Sequence, residues 1–382
     1  MSFESPGRIS PNDGFQYFFG YYDVPGFSPD GQKHLCHRVS FRDRLPKVED
    51  VAEIGVFDLV TAEFAVLATT CAWNFQQGSM LQWAGGRAGS IAYNIAGAGG
   101  EYQGVILYPD EGTTRMYDRP FAAMSTDGRW ALSINFDRMY DFRPGYGYAS
   151  KRDPWSGEKH PADDGVWLLD LVNGGSRLVF SLADLGGQLA HLSPLMQEKL
   201  LINHIAFNPG GTRFVAFVRN FPSGSTGWKT TVITADLQGG NLHVLVPAGY
   251  ASHYHWRDDT TIAIYSQGPQ GAQLYEITDS AAPQFTAIDT SFFLQDGHES
   301  YSPDRQWMLY DSYPDSRQIQ HLYLYDLMGK RGRELGAWPA LPASPTDLRC
   351  DFHPRWSPDG SAVSFDSTHE GVRALYLLRV RD

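Results

Sequence analysis

One short phrase recurs four times in the second half of the chain, and a histidine opens it each time. It reads HIAFNPGG from His204, HYHWRDD from His253, HESYSPD from His298 and HPRWSPDG from His353. An aromatic residue stands three places on, before a Ser/Asn-Pro-Asp/Gly-Gly turn or a worn version of it. Successive histidines are 49, 45 and 55 residues apart, the length of one four-stranded propeller blade with its loop. Blades are arranged radially, so equivalent positions of different blades meet near one axis. A repeat in sequence thus predicts a cluster of imidazoles in space, and clustered imidazoles point to a metal or proton-transfer site.

A second element repeats seven times, an apolar or alternating run that often ends in Asp-Leu. The copies are IGVFDL (Ile54 to Leu59), VILYPDEG from Val105, VWLLDL (Val166 to Leu171), VITADLQGG from Val232, LYEITD from Leu274, LYLYDL (Leu322 to Leu327) and LYLLRV from Leu375. Each reads as the third strand of a blade. The runs HLCHRVSF, SIAYNIA, WALSINF, RFVAFVRN, TIAIYSQ, WMLYDSY and AVSFDS lie upstream of them and carry the β-branched and aromatic residues of second strands. Either set predicts an all-β, seven-bladed propeller forming one domain over residues 1–382. The last blade stops after its third strand at Asp382, so the segment before Gly20 is expected to supply the missing outer strand and close the ring, which removes open sheet edges. Blades one to three carry Val24, Met80 and Phe121 near the histidine position, so the histidine is not an obligatory part of a blade.

Charge and cysteine usage exclude several classes. A formal charge of −12 with no Lys/Arg-rich run argues against nucleic acid, since neutralising phosphates takes a basic face. Cys36, Cys71 and Cys350 form no CxxC pair, so neither a disulfide framework nor a zinc knuckle is indicated. No apolar stretch is long enough to span a membrane, and MSFESPGRIS lacks a signal-peptide core. These features predict a cytoplasmic protein, or a periplasmic one whose signal has been removed. There is no GxSxG elbow, phosphate loop or dinucleotide fingerprint.

Two stretches break the repeat. NFDRMYDFRPGYGYASKRDPWSGEKHPADDG, covering about 137–165, sits between the second and third strands of blade three, and a loop of that length is expected to arch over one face and take part in function. ADLGGQLAHLSPLMQEKLL has the apolar spacing of a short helix leading into His204. The insertion offers Arg143 and Arg138 to hold an acidic ligand, and Tyr146 and Tyr148 as flat hydroxylated surfaces that equally suit packing on Pro144. Tyr21, Tyr22 and Asp23 mark the entrance of blade one, and Gln76 and Gln77 precede blade two. Arg42 and Arg44 read as surface ion-pair partners of Asp43 or Glu49.

On the histidine phrases of blades four to seven, the chain resembles the oligogalacturonate lyases, seven-bladed propeller enzymes that cut uronate-containing saccharides by β-elimination with a divalent metal, typically manganese. The family phrase His-x-x-Trp is met by His253-Tyr254-His255-Trp256. In the Gln-x-x-His-x-His-Pro phrase, the final histidine is met by His353, while Asp351 replaces the first histidine and Leu348 the glutamine. The resemblance implies that His204 is the catalytic base, and Arg143 of the insertion is the second candidate catalytic residue. A metal set of His253, His298, His353 and Asp351 would suit manganese, with zinc, iron or calcium as other occupants, and Asp351 would alternatively orient a histidine. Arg138, Tyr146, Tyr148, Tyr22, Gln77 and His255 would line an acidic oligosaccharide. The chemistry agrees: a uronate C5 proton is weakly acidic until its carboxylate is neutralised, and a neutral imidazole suits proton removal near neutral pH. Two other readings use the same residues. A non-catalytic docking propeller similar to TolB-like or WD-repeat proteins accounts for the SPDG turns, and a carboxylate-based glycoside hydrolase would use Asp23, Asp351 and Glu299. Both leave the registered histidines idle.

Overall fold

The computed structural model describes residues 2–149, 151–222 and 227–381. Seven antiparallel sheets follow one another along the chain, and all fourteen runs read as second and third strands occupy those places. The inner strands are Gln16–Phe18, Gln82–Trp83, Ala123–Met124, Leu200–Phe207, Ala251–Trp256, Glu299–Tyr301 and Arg355–Trp356. The fold is the expected all-β, seven-bladed propeller. Its seventh blade is completed from the amino terminus: Phe3 pairs with Val380, and Gly7 and Arg8 pair with Leu377 and Tyr376.

The SPDG phrase forms the link from inner to second strand. Ser357 Oγ accepts the backbone N–H of Ala362 at 2.9 Å and donates to Asp359 Oδ1 at 2.7 Å. Ser28 and Ser302 do the same for Lys33 and Trp307. In blade four Asn208 takes over, its Oδ1 accepting from Thr212 and Arg213. The turn needs one left-handed residue, which is Gly360 (φ +73°) in blade seven and Arg305 (φ +58°) in blade six.

The insertion holds a helix over Phe136–Phe142, capped by the Asn135 side chain on the Arg138 N–H. Beyond it the chain docks across the channel mouth onto the connection to blade seven, where Asp347 accepts from Arg143 Nε at 2.8 Å and from the Gly145 N–H at 3.1 Å. The helix expected before His204 spans Leu182–Leu189, with a capping box between Ser181 and Asp184. The three cysteines are free. Among the described residues no helix is long and apolar enough to cross a membrane.

Candidate metal and proton-transfer site

At each of the four histidine positions regular strand pairing is interrupted. In blade four Ile202 pairs with Val218 and Ile205 with Ala216, so Asn203 and His204 together oppose Phe217. Blade five repeats this, Ser252 and His253 facing Tyr265 between the pairs Ala251–Ser266 and Tyr254–Ile264. Such bulges re-aim side chains, here at the upper end of the channel. In blades six and seven the inner strand begins only after the histidine, and His353 has a positive φ of 44°. The backbone N–H groups freed by this share one acceptor: Asp311 takes the His298 N–H on Oδ1 at 2.8 Å and the His353 N–H on Oδ2 at 3.2 Å.

The imidazoles converge. Ring centroids of His253 and His298 are 4.1 Å apart, and those of His298 and His353 are 4.4 Å apart. One ligand atom each from His298, Asp351 and His353 lies within 4.8 Å of the other two, and all three residues are buried. Each histidine is oriented through Nδ1. His298 is held by both Asp311 oxygens (2.8 and 3.0 Å), His353 donates to the Gly20 carbonyl (2.8 Å), and His253 is held by Asp296 Oδ1 (3.0 Å). This fixes the outward nitrogen of each ring, as partners of metal-bound histidines do. The Nε2 atoms of His298 and His353 are buried without a hydrogen-bond partner, a costly state in a folded interior unless something occupies the position. The donor set of two imidazole nitrogens and a carboxylate oxygen fits a divalent ion of the manganese or zinc kind. His253 stands beside this triad, its Nε2 3.4 Å from the Tyr313 hydroxyl.

Electrostatics separate the rings. Burial lowers the pKa of His298, but the charge and hydrogen bond of Asp311, with Asp351 and Asp296 nearby, outweigh it and raise the net value. Burial and the neighbouring His298 hold His353 well below the usual histidine range. Arg349 accounts for Asp351: despite burial, its two N–H groups at 2.5 and 2.8 Å keep that carboxyl ionised.

His204 lies across Tyr21 from the triad. The Tyr21 ring centroid is 4.9 Å from that of His204 on one side and 4.9 Å from that of His353 on the other. The Tyr21 hydroxyl is 3.2 Å from His204 Nε2. Burial and the positive charge of Arg219 depress the His204 pKa well below its ordinary value, so the ring is neutral. Tyr146 closes this corner 5.9 Å from His204, with the Arg143 guanidinium 4.2 Å over its ring.

Three of the expected ligand residues, Arg138, Tyr148 and Tyr22, have their polar atoms engaged within the protein. Arg138 is 1% exposed and its five N–H donors all have partners: Leu200 O, Asp153, and the carbonyls of Trp155, Glu158 and Lys159. It ties the insertion down and has no donor left for a sugar. Tyr148 is fully buried, stacked 4.4 Å from Phe136, and its hydroxyl accepts from Asn94. The Tyr22 hydroxyl donates to the Tyr254 carbonyl at 2.6 Å and accepts the Tyr254 N–H at 2.8 Å, bracing the channel. His255, two residues past His253, lies 5.8 Å from the Tyr301 ring, and its Nδ1 is buried without a hydrogen-bond partner. Gln77 lines a chamber beneath Tyr21, while Gln76 donates to the Asp347 and Arg349 carbonyls. Arg44 pairs with Asp50 rather than Asp43 or Glu49. Burial and Asp296 push the pKa of Glu299 far up, and neither of its oxygens has a hydrogen-bond partner. The sequence reading missed Asp311, Asp296 and Arg349. Asp296 was the most accessible of these, two residues ahead of His298.

Comparison with known proteins gives the fold class. No family model matches the chain, and no curated protein does. Among solved structures it is similar to an oligogalacturonate lyase in complex with manganese, at TM-score 0.70 and 14% identity, covering 100% of this chain and 96% of the other. An oligogalacturonate lyase from Vibrio parahaemolyticus gives TM-score 0.66 and 12% identity over the same shares. Kuenenia stuttgartiensis hydrazine synthase follows at TM-score 0.53 and 11% identity, over 94% of this chain and 96% of the other. At these identities the likeness establishes the seven-bladed propeller.

Proposed function

We propose that the protein is a metal-dependent lyase that cleaves a short uronate-containing saccharide by β-elimination. The observation that carries this reading is the pair of buried, unpartnered Nε2 atoms on His298 and His353, grouped with Asp351 and one tyrosine ring away from a neutral His204. His298, His353 and Asp351 would hold the ion, with His253 beside them, and manganese is the occupant we favour. A bound divalent cation neutralises the uronate carboxylate and so acidifies the C5 proton.

The chain's own residues do the rest. Asp311, the Gly20 carbonyl and Asp296 fix the ring orientations. Arg143, over Tyr146, supplies positive charge at the roof. A sugar laid along Tyr21 reaches both His204 and the triad. His204, neutral through burial and the nearby Arg219, takes the C5 proton. The C5–H pair becomes the C4–C5 double bond, the C4–O bond breaks, and the departing oxygen takes a proton from water. Fixed arginines near the incoming carboxylate stabilise the charge that develops.

The test is ultraviolet absorbance of the unsaturated product with a panel of uronate oligosaccharides, run on the wild type and on His204→Ala. We expect rising absorbance for the wild type, and a loss of about 10²- to 10⁴-fold in the variant with its metal retained. Full activity in His204→Ala, or no unsaturated product from any uronate in the presence of manganese, would overturn the proposal.

A further inference from the structure

The chamber beneath His204 is a cavity of about 110 Å³ whose wall includes Tyr21, Gln77, Asn203 and His204. It continues into a funnel of about 470 Å³ that ends among the SPDG-type turns, with Pro29, Thr126, Pro209 and Pro358 at its rim. The two spaces share Asp23, Pro25, Gln82, Met124, Ala206, Phe207 and Tyr254, so a single channel leads from the turn face up to His204. Its chemistry is opposite to that of the roof. Arg349 pairs with Asp351 of the metal site and Arg143 stands over Tyr146, whereas no lysine or arginine lines the channel and Asp23 contributes a carboxyl. The walls carry the apolar side chains of Met80, Ile134 and Phe136 above and Phe27, Trp83 and Trp256 below, with uncharged polar groups such as Gln82, Ser125 and Asn208 between them.

Three polar side chains of this channel hold a buried atom without a partner: His255 at Nδ1, Trp256 at Nε1 and, nearest His204, Asn203 at both ends of its amide. Asn203, displaced by the same bulge that aims His204, is 1% exposed, and both its amide nitrogen and its amide oxygen are buried without a hydrogen bond. A buried amide with both ends open costs stability unless a ligand meets it. It offers one donor and one acceptor side by side, which matches two neighbouring hydroxyls of a sugar, and apolar walls suit the C–H faces of a pyranose.

We propose that this channel is a subsite for a neutral sugar, so that the substrate class is a mixed saccharide in which the uronate held at the metal site is joined to an uncharged sugar held by Asn203. This rests on the lyase reading for the uronate half, while the channel site stands on Asn203 and the wall composition. A second uronate would bring its carboxylate into a lining that holds the Asp23 carboxyl and no lysine or arginine, an arrangement that costs affinity.

The experiment has two arms. Binding of galactose and of galacturonate is followed by saturation-transfer nuclear magnetic resonance on the wild type, on Asn203→Leu, which keeps the side-chain volume, and on Ala206→Trp, which plugs the channel wall. Turnover is compared on a diuronate and on a uronate–galactose disaccharide by product absorbance. We expect galactose to bind, about tenfold weakening in Asn203→Leu, loss in Ala206→Trp, and about tenfold higher kcat/KM for the mixed disaccharide, with metal content unchanged. Galactose that does not bind, or binds equally to both variants, overturns the channel site. A diuronate cleaved as fast as the mixed disaccharide overturns the substrate class while leaving the lyase reading intact. If no saccharide yields an unsaturated product but galactose binding still depends on Asn203, the lyase reading fails and the channel site survives.

Discussion

Blade one and blades six and seven each bury two histidines, and the difference between the pairs lies in a single atom per ring. His34 uses both nitrogens, on the Leu35 carbonyl (2.7 Å) and Ser364 Oγ (2.8 Å), and His37 uses both, on the Phe19 carbonyl (2.8 Å) and Ser79 Oγ (2.8 Å). His298 and His353 are as deeply buried, yet each uses Nδ1 only and leaves Nε2 bare. A paired interior histidine is a rigid cross-link between blades. An interior histidine with one nitrogen anchored and the other open is a positioned ligand, built at a cost in stability that only an occupant recovers.

The largest separation between the two pairs is expected from alanine substitution. His353→Ala or His298→Ala should lower turnover by about 10³-fold or more and remove bound metal. Relief of the bare Nε2 offsets part of the stability lost with the Nδ1 hydrogen bond to the Gly20 carbonyl or Asp311, so the unfolding midpoint of the metal-free protein should fall less than on loss of a ring bonded at both nitrogens. Metal analysis beside thermal unfolding checks both halves. In blade one the pattern reverses. His37→Ala unpairs the Phe19 carbonyl and Ser79 and opens a void beside Gly78, which should cost about 3 kcal/mol in denaturant unfolding while the folded fraction keeps its metal.

The carboxylate behind the open rings comes next in size. Asp311 binds His298 through backbone and ring and His353 through its backbone, so Asp311→Asn should weaken metal affinity by about 10- to 100-fold in chelator competition. An unchanged affinity would mean that the orientation of His298 does not matter. The smallest effect belongs to acid stability. Burial, reinforced for His34 by Arg355, lowers the pKa of His34 to about 3 and that of His37 to about 4. Between those values and the unfolded histidine value near 6.5 the unfolded chain binds more protons, so their contribution is fully present above about pH 6.5 and lost as pH falls toward 3 to 4. Denaturant midpoints in metal-free protein should decline over that window, and His37→Ala should flatten the decline.

Much of this was legible before any coordinates. Strands with period-two patterning and SPDG turns are local features, so the blade count and the four registered histidines follow from residues near one another in the chain, and the closing amino-terminal strand follows from the count, because the last blade is one strand short. The helix Phe136–Phe142 was also within reach, since Asn135 caps it and Phe136, Met139 and Phe142 share the apolar spacing, but the Gly- and Pro-rich run that follows masked it. What sequence does not carry is which donors are already engaged. Arg138 and Arg143 look alike as insertion arginines, and only the closed loop, which directs five acceptors at one of them, tells an anchor from a site residue. Asp311 was hidden for a related reason: it sits on the second strand of blade six, outside the repeated phrase, and reaches the histidine of the next blade through backbone that the repeat does not describe.

The deciding measurement is the stoichiometry of divalent metal in protein purified without added metal and then dialysed against manganese, compared between the wild type, His353→Ala and His37→Ala by elemental analysis. We predict one ion per folded chain in the wild type and in His37→Ala, and none in His353→Ala. No bound ion in the wild type, or equal metal in all three proteins, would contradict the assignment of the open nitrogens to a metal site.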